Sequence, residues 1–351
     1  MPISHDAQLP MPHKPGVMLI HLLDRCNLQC EHCYLDAGPT GHTSLPLELV
    51  VRSMGEAPEL GIARVWLSGG EPFMYPELPE VLAYASRQES YEVHISTNGT
   101  LIGAAEAAMA REAGASVQVS IDGPETYHDE TRGRDGAFQR ASQGIRHLVT
   151  AGVPVGIVAT VCQGNLAALP WLAGWAAEIG VERVSAQPLL SLGRGSQIEV
   201  KQLTDDQLCD LYLMLSDLAH SYRMQDLSFA LAYRTRRLLA EHPCAAYVCN
   251  GAGCHRRVAK EIKKLVIRED GTVLPETPAL DPRFALGSLY EGTLVELATR
   301  YFADGYEKFD CLCRSVYDEV MPTWTSPLIP WNEILSKRSR AFEISNLPAS
   351  A

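Results

Sequence analysis

Short apolar runs at 17–22, 63–67, 91–96, 116–121, 154–161 and 183–187 are separated by stretches of helical spacing near 46–60, 77–88, 102–113, 137–151 and 167–178. Few architectures accept that alternation. Strand–helix repeats of this length read as βαβ units, and βαβ units imply a mostly parallel sheet covered by helices. The six runs fall short of the eight strands that close a barrel, so the expected fold is α/β, a partial (βα)6 barrel with a lateral opening. Working groups in such folds sit at the C-terminal ends of the strands, and the polar motifs of this chain fall there. Ser68-Gly69-Gly70-Glu71-Pro72 follows the second run and Ser96-Thr97-Asn98-Gly99 closes the third. Ser120-Ile121-Asp122-Gly123 closes the fourth, and Gln187-Pro188 closes the sixth.

The first run delivers the chain into Arg25-Cys26-Asn27-Leu28-Gln29-Cys30-Glu31-His32-Cys33-Tyr34, three cysteines spaced C-x3-C-x2-C. Three thiolates this close can converge on one metal centre. Structural zinc usually takes four ligands in two pairs, and no second pair lies nearby. A four-iron cluster also takes four cysteines in ferredoxins, so three would leave one iron open for chemistry, by the logic that separates catalytic from structural zinc sites. The alternatives are three buried structural cysteines or a zinc site completed by His32.

With this loop and the Gly-Gly-Glu-Pro segment, the chain resembles the radical S-adenosylmethionine (radical SAM) superfamily, whose signature is C-x3-C-x-φ-C with an aromatic at φ. His32 stands at φ here, and Tyr34 follows. The resemblance implies a [4Fe-4S] cluster on Cys26, Cys30 and Cys33 whose open iron chelates SAM. It implies that the backbone of Gly69 and Gly70, together with Glu71, meets the SAM amino group. Tyr34, Ser96, Asn98, Ser120, Asp122 and Gln187 are expected around SAM, and Arg132 pairs with its carboxylate, a good bidentate partner. One electron from the reduced cluster then cleaves SAM, and the 5'-deoxyadenosyl radical abstracts a hydrogen from the substrate.

Beyond residue 195 the alternation stops. The expected organisation is a lead-in (1–16), the barrel (17–195), a helical connection (196–243) capped at Thr204, a cysteine-rich α+β extension (244–320) and a wrap with a tail (321–351). In the extension, apolar residues flank an Asp270-Gly271 turn, reading as a hairpin. Cys244, Cys249, Cys254, Cys311 and Cys313 resemble the auxiliary-cluster extensions called SPASM or twitch. The cysteine expected after the hairpin is replaced around Pro275-Glu276, and the downstream block is reduced to Cys311 and Cys313. One auxiliary [4Fe-4S] cluster is therefore expected, with a zinc site or a metal-free fold as alternatives. Cys162 and Cys209 read as packing residues, as do Trp171 and Trp175.

Bulk properties bound the function. The 351 residues could hold a barrel plus an extension. A net charge of -12, from 30 basic and 42 acidic residues, argues against a nucleic-acid backbone as partner. Ten cysteines with no signal peptide fit a reducing, cytoplasmic setting, and no apolar run reaches the roughly 18–20 residues of a membrane span. The expectation is an enzyme using SAM and a one-electron reductant such as flavodoxin or ferredoxin. Its short lead-in tilts the substrate toward a small biosynthetic precursor (sugar, nucleoside or cofactor precursor). The alternatives are maturation of a ribosomally made peptide and a non-catalytic iron–sulfur carrier.

Overall fold

The computed structural model describes residues 16–222, 227–231, 233–246 and 264–342. The strands are β1 (Gly16–His21), β2 (Ile62–Ser68), β3 (Glu92–Thr97), β4 (Ser116–Ser120), β5 (Val155–Val161), β6 (Arg183–Pro188), β7 (Ser228–Leu231), β8 (Arg234–Thr235), β9 (Lys264–Ile267), β10 (Thr272–Pro275), β11 (Gly287–Ser288) and β12 (Leu328–Ile329). The helices are α1 (Leu47–Glu56), α2 (Leu78–Ala85), α3 (Ala104–Glu112), α4 (Glu125–Arg132), α5 (Ala137–Thr150), α6 (Leu169–Glu178), α7 (Asp205–Ser221), α8 (Arg236–Glu241), α9 (Leu294–Arg300), α10 (Tyr306–Thr323) and α11 (Trp331–Ala341).

Ten strands form one sheet in the order β11-β10-β9-β1-β2-β3-β4-β5-β6-β7. From β9 across to β7 every neighbouring pair is parallel, and β10 and β11 are antiparallel. The expected mixed α/β architecture is therefore the observed one. Met18, Ile20, Val65, Leu67, Ile95, Val117, Val119 and Ile157 are almost wholly buried, as expected for parallel strands covered on both faces. Side chains from β1, β3, β4, β5, β6 and β9 all line one cavity, so the sheet wraps around its inner face.

Two parts of the sheet escaped the sequence reading. The stretch after α7, expected to be helical up to about 241, instead forms β7, β8 and α8. Strand β7 pairs in parallel with β6 and extends the expected six strands. It is short, polar at its first residue and at the sheet edge, so it leaves no long apolar run to recognise. The second difference is larger. The C-terminal hairpin does not fold apart from the barrel: β9 runs parallel to β1, with Val17 opposite Lys264 and Ile20 opposite Ile267. Helix α4 was also unexpected, because ETYHDETR carries no apolar stripe; what it buries is His128, Thr131 and Arg132. The Thr204 cap is present: its hydroxyl accepts from Gln207 N–H at 3.3 Å, while the Gln207 side chain accepts from Thr204 N–H at 3.0 Å.

Candidate active site

The cysteine loop leaves β1 and is held down from several directions. Gly70 N–H donates to Leu23 O at 2.7 Å and Glu71 N–H to Arg25 O at 2.9 Å. A Cβ on Gly70 would collide with Arg25 O, and one on Gly69, whose φ is +126°, with Leu23 O. The glycine pair is thus demanded by the loop that carries the cysteines, in addition to any ligand. From the other side, Arg194 donates to Cys30 O, Ala37 O and Asp36 Oδ1, each at 2.8 Å, and its N–H reaches Cys33 O at 2.9 Å. Glu31 N–H donates to Thr131 O at 3.0 Å. Arg194 went unnoticed in the sequence because it follows the last expected strand and belongs to no motif.

Cys26 and Cys30 are buried and Cys33 is half-buried. Burial pushes the Cys26 thiol up to about 12 and raises that of Cys30 against the pull of Arg132. Metal-free thiolates are therefore unfavourable here, yet donors are aimed at the sulfurs. Leu28 N–H (3.5 Å) and Asn98 Nδ2 (3.8 Å) point at Cys26 Sγ, and Arg132 Nη1 (3.8 Å) points at Cys30 Sγ. Hydrogen bonds to sulfur stabilise an anionic iron–sulfur cluster. Among the described residues no three His, Cys, Asp or Glu side chains converge on a position for a single ion. His32 turns toward Asp122, Nε2 to Oδ2 3.5 Å, and burial lowers its pKa to about 4.

These groups open onto a cavity of about 380 Å³. Cys26, Cys30, Cys33, Tyr34, Gly69, Gly70, Ser96, Asn98, Ser120, Arg132 and Gln187 all line it, so the fold gathers most of the expected site into one place. Asn98 is itself oriented: its Nδ2 donates to Asn27 Oδ1 at 2.8 Å, and its Oδ1 accepts from Thr100 N–H and hydroxyl at 2.9 and 2.6 Å. Tyr34 stands with its hydroxyl 3.5 Å from His21 Nε2.

Two expected ligand contacts need correction. The Glu71 carboxylate is fully buried and turned away from the cavity, where it accepts from Thr97 Oγ1 (2.7 Å), Asn98 N–H (2.8 Å) and Phe73 N–H (3.1 Å). Its two oxygens are spent on fixing the end of β3. Asp122 likewise lies outside the cavity lining. It takes both Arg132 Nε (2.6 Å) and Nη2 (2.9 Å), plus Thr160 N–H (2.9 Å). Burial opposes ionisation of Asp122, but Arg132 and then His32 win and hold its carboxyl well below the usual range. The bidentate edge of Arg132 is thus occupied by Asp122, leaving Nη1 toward the cavity and Cys30.

The second cysteine set behaves differently. Cys311 and Cys313 lie on α10, where two residues turn about 200° around the axis. Cys311 faces a surface cleft with Arg314, Asp318, Glu319 and Arg338, whereas Cys313 is buried, which raises its thiol pKa, with Glu276, Arg234 and Asp310 the charges that act on it. Of the five cysteines considered for an auxiliary cluster, Cys311 and Cys313 therefore face different surroundings. Arg234 pairs with Glu276 at 3.1 Å and also donates to Ala245 O, which brings the turn Pro243–Ala245, and with it the backbone of Cys244, to the same neighbourhood. Cys249 and Cys254 lie outside the described residues.

Residues 20–165 match the family model of the radical SAM superfamily. The chain is 34% identical over 203 residues to Fe-coproporphyrin III synthase of Methanosarcina barkeri, covering 57% of this chain and 50% of that protein. It is 28% identical over 198 residues to the subtilosin biosynthesis protein AlbA of Bacillus subtilis, covering 56% and 43% respectively. The chain thus spans about half the length of the curated relatives it matches. In fold it is similar to anSMEcpe solved with AdoMet and the Cp18Cys peptide, with a TM-score of 0.64, 18% identity and coverage of 92% of this chain and 88% of that one. Among the described residues no helix is long and apolar enough to cross a membrane.

Proposed function

We propose that the protein is a radical SAM enzyme that takes a hydrogen atom from a small biosynthetic precursor. The observation that carries this reading is the meeting of three thiols, their sulfur-directed donors and the strand-end polar groups around one cavity. Cys26, Cys30 and Cys33 would hold a [4Fe-4S] cluster, and Gly69, Gly70, Ser96, Asn98, Ser120, Gln187 and Arg132 Nη1 would surround SAM. When bound, the pair supplies one-electron cleavage of a carbon–sulfur bond and a carbon-centred radical. The chain's own contribution is placement. Arg194 and the Gly69–Gly70 turn fix the cysteine loop, Asp122 fixes Arg132, and Glu71 fixes Asn98.

The cavity volume bears on the substrate. Pockets for drug-sized ligands run from about 300 to 1,000 Å³, so a cavity of about 380 Å³ that also holds SAM admits one small reacting group. A small precursor satisfies that, and so does a single side chain of a peptide. The likeness to AlbA favours the peptide as the second reading. We extend the proposal to one auxiliary [4Fe-4S] cluster drawing on Cys313 and the Cys244 turn, with Cys249 and Cys254, and without Cys311. A small reductant such as flavodoxin or ferredoxin would supply the electron.

Anaerobically reconstituted protein tests the reading through its iron and sulfide content and its yield of 5'-deoxyadenosine from SAM under dithionite. About eight irons with turnover would support both clusters, and about four with turnover would remove the auxiliary one. Iron without SAM cleavage, with and without candidate substrates, would sink the enzyme reading in favour of an electron carrier.

A further inference from the structure

The cavity has a second end that the cysteine loop and the SAM-facing strand termini do not use. Lys264, the first residue of β9, lines it together with Thr277 and Asn332. Strand β9 lies on the opposite side of β1 from β2; Lys264 is level with Val17, which pairs with Arg64, so it stands at the N-terminal end of the strands, away from the Gly69–Gly70 turn at their C-terminal end. Register fixes its direction: Lys264 is opposite Val17, and Leu19, two residues on in β1, lines the same cavity. Alternation then puts Lys264 on the inner face. Thr277 follows Glu276, whose φ of +62° is unusual for a residue with a side chain and turns the chain back toward the cavity after β10.

Thr277 meets the Ser336 hydroxyl at 3.3 Å, but the other two polar groups at this end lack partners among the described residues. Lys264 makes no ion pair among the described residues, and the acid nearest in effect, Glu276, is already paired with Arg234 at 3.1 Å. Asn332 Oδ1 is buried and accepts no hydrogen bond among the described residues. A cation in a half-closed cavity without a counter-charge is costly unless a ligand provides one, and a buried amide oxygen without a donor carries a similar cost. One ligand group answers both needs: an anion beside an N–H or O–H donor. Burial also lowers the affinity of Lys264 for its proton, the direction that an incoming anion would reverse.

We propose that Lys264 and Asn332 form the substrate-recognition end of the cavity and take a carboxylate of the substrate, with Asn332 accepting from a donor next to it. This rests on the radical SAM reading for what happens to the substrate, but not for the binding itself. A carboxylate of this kind occurs on a small heterocyclic acid and on an acidic peptide residue.

The test is equilibrium dialysis of labelled probes against reconstituted, SAM-loaded protein. The probes are a pyrrole propionate and N-acetylglutamate methylamide, each beside its amide counterpart, the propionamide and the glutamine compound. In at least one pair the acid should bind about ten-fold or more tighter than the amide, and Lys264→Gln should erase that preference. Whichever pair discriminates identifies the source. Asn332→Leu, a second variant that leaves the β-sheet untouched, should weaken the preferred acid about three-fold or more. Equal binding of acid and amide in both pairs overturns the proposal, as does an acid preference that survives Lys264→Gln and Asn332→Leu. Wild-type SAM cleavage is measured on the same preparation, so failure of the radical reading would appear there while the acid preference stood or fell separately.

Discussion

The molecule has two cysteine-bearing regions, and they obtain their geometry in opposite ways. In the first, Cys26, Cys30 and Cys33 lie on a loop that has no regular structure of its own. Its shape comes from outside, from Gly69–Gly70, Asn98, Thr131 and Arg194. In the second, Cys311 and Cys313 sit on a regular helix, and that regularity turns them apart. A loop clamped by its neighbours can aim three thiols at one cluster, whereas a helix at i and i+2 cannot aim two at one point.

The sharpest way to break this comparison is to remove one thiol from each region. Cys26→Ala is expected to abolish SAM cleavage and lower the iron content by about four atoms, while Cys311→Ala leaves both unchanged. Colorimetric iron and chromatographic 5'-deoxyadenosine report the result, and iron loss on Cys311→Ala would place that residue at a cluster after all.

The next effect concerns the brace behind the loop. Asp122→Asn strips the buried Arg132 of its counter-charge and should cost about 3–5 kcal/mol in urea unfolding. A cost within about 0.5 kcal/mol would mean that Arg132 finds its partner elsewhere, and its bidentate edge would then be available to a ligand.

A pH effect follows from His128 on α4. It is buried, and its Nδ1 accepts from Asp122 N–H at 3.2 Å, so it is neutral in the folded state. Burial first, and then Arg132, lower its pKa to about 4. As pH falls below the ordinary value near 6.5, the unfolded chain takes up a proton that the folded chain refuses, and stability declines toward pH 4. The contribution is about 3 kcal/mol. Below the usual carboxylate range, Asp122 adds a further loss, since its folded pKa is depressed and its stabilisation disappears on protonation. His128→Gln should make the pH 6.5–4 limb of a urea-midpoint profile about half as steep, because His32 is lowered to about 4 as well, while leaving the lower limb in place. An unchanged limb would assign it to other groups.

The smallest effects return to α10. In metal-free protein, Cys313→Ser places a hydroxyl in a buried position and should cost about 1–3 kcal/mol, whereas Cys311→Ser at the cleft stays within about 0.5 kcal/mol. Equal costs would erase the difference in environment from which the comparison starts.

Much of this was legible in the chain because it depends on local spacing. The six barrel strands were marked by apolar runs, and the cavity-lining Ser96, Asn98, Ser120 and Gln187 by their places at strand ends. What stayed hidden depends on contacts between distant segments. Glu71 and Asp122 stood in the right motifs, but whether a carboxylate faces a ligand or a neighbouring loop is decided by donors such as Thr97 and Arg132, which local spacing does not pair with them. Lys264 and Asn332 carry no motif at all. They reach the cavity only because β9 pairs with β1 and α11 begins where the C-terminal wrap ends. Which of the five later cysteines could share one cluster was hidden for the reverse reason: Cys311 and Cys313 are close in sequence, but the helix that holds them turns them apart.

The pairing of β1 with β9 also sets a timetable for synthesis. Until Ile267 leaves the ribosome, the free edge of β1 has no partner, although β2 has been available since about residue 68. At about 5–20 residues per second, the 247 residues between Ile20 and Ile267 take roughly 10–50 s. For that interval an apolar edge strand and the reduced thiols hanging from it stand open to aggregation and oxidation. Cells making this protein therefore have reason to shield the nascent chain and to deliver iron only after β9 has closed over the edge of β1.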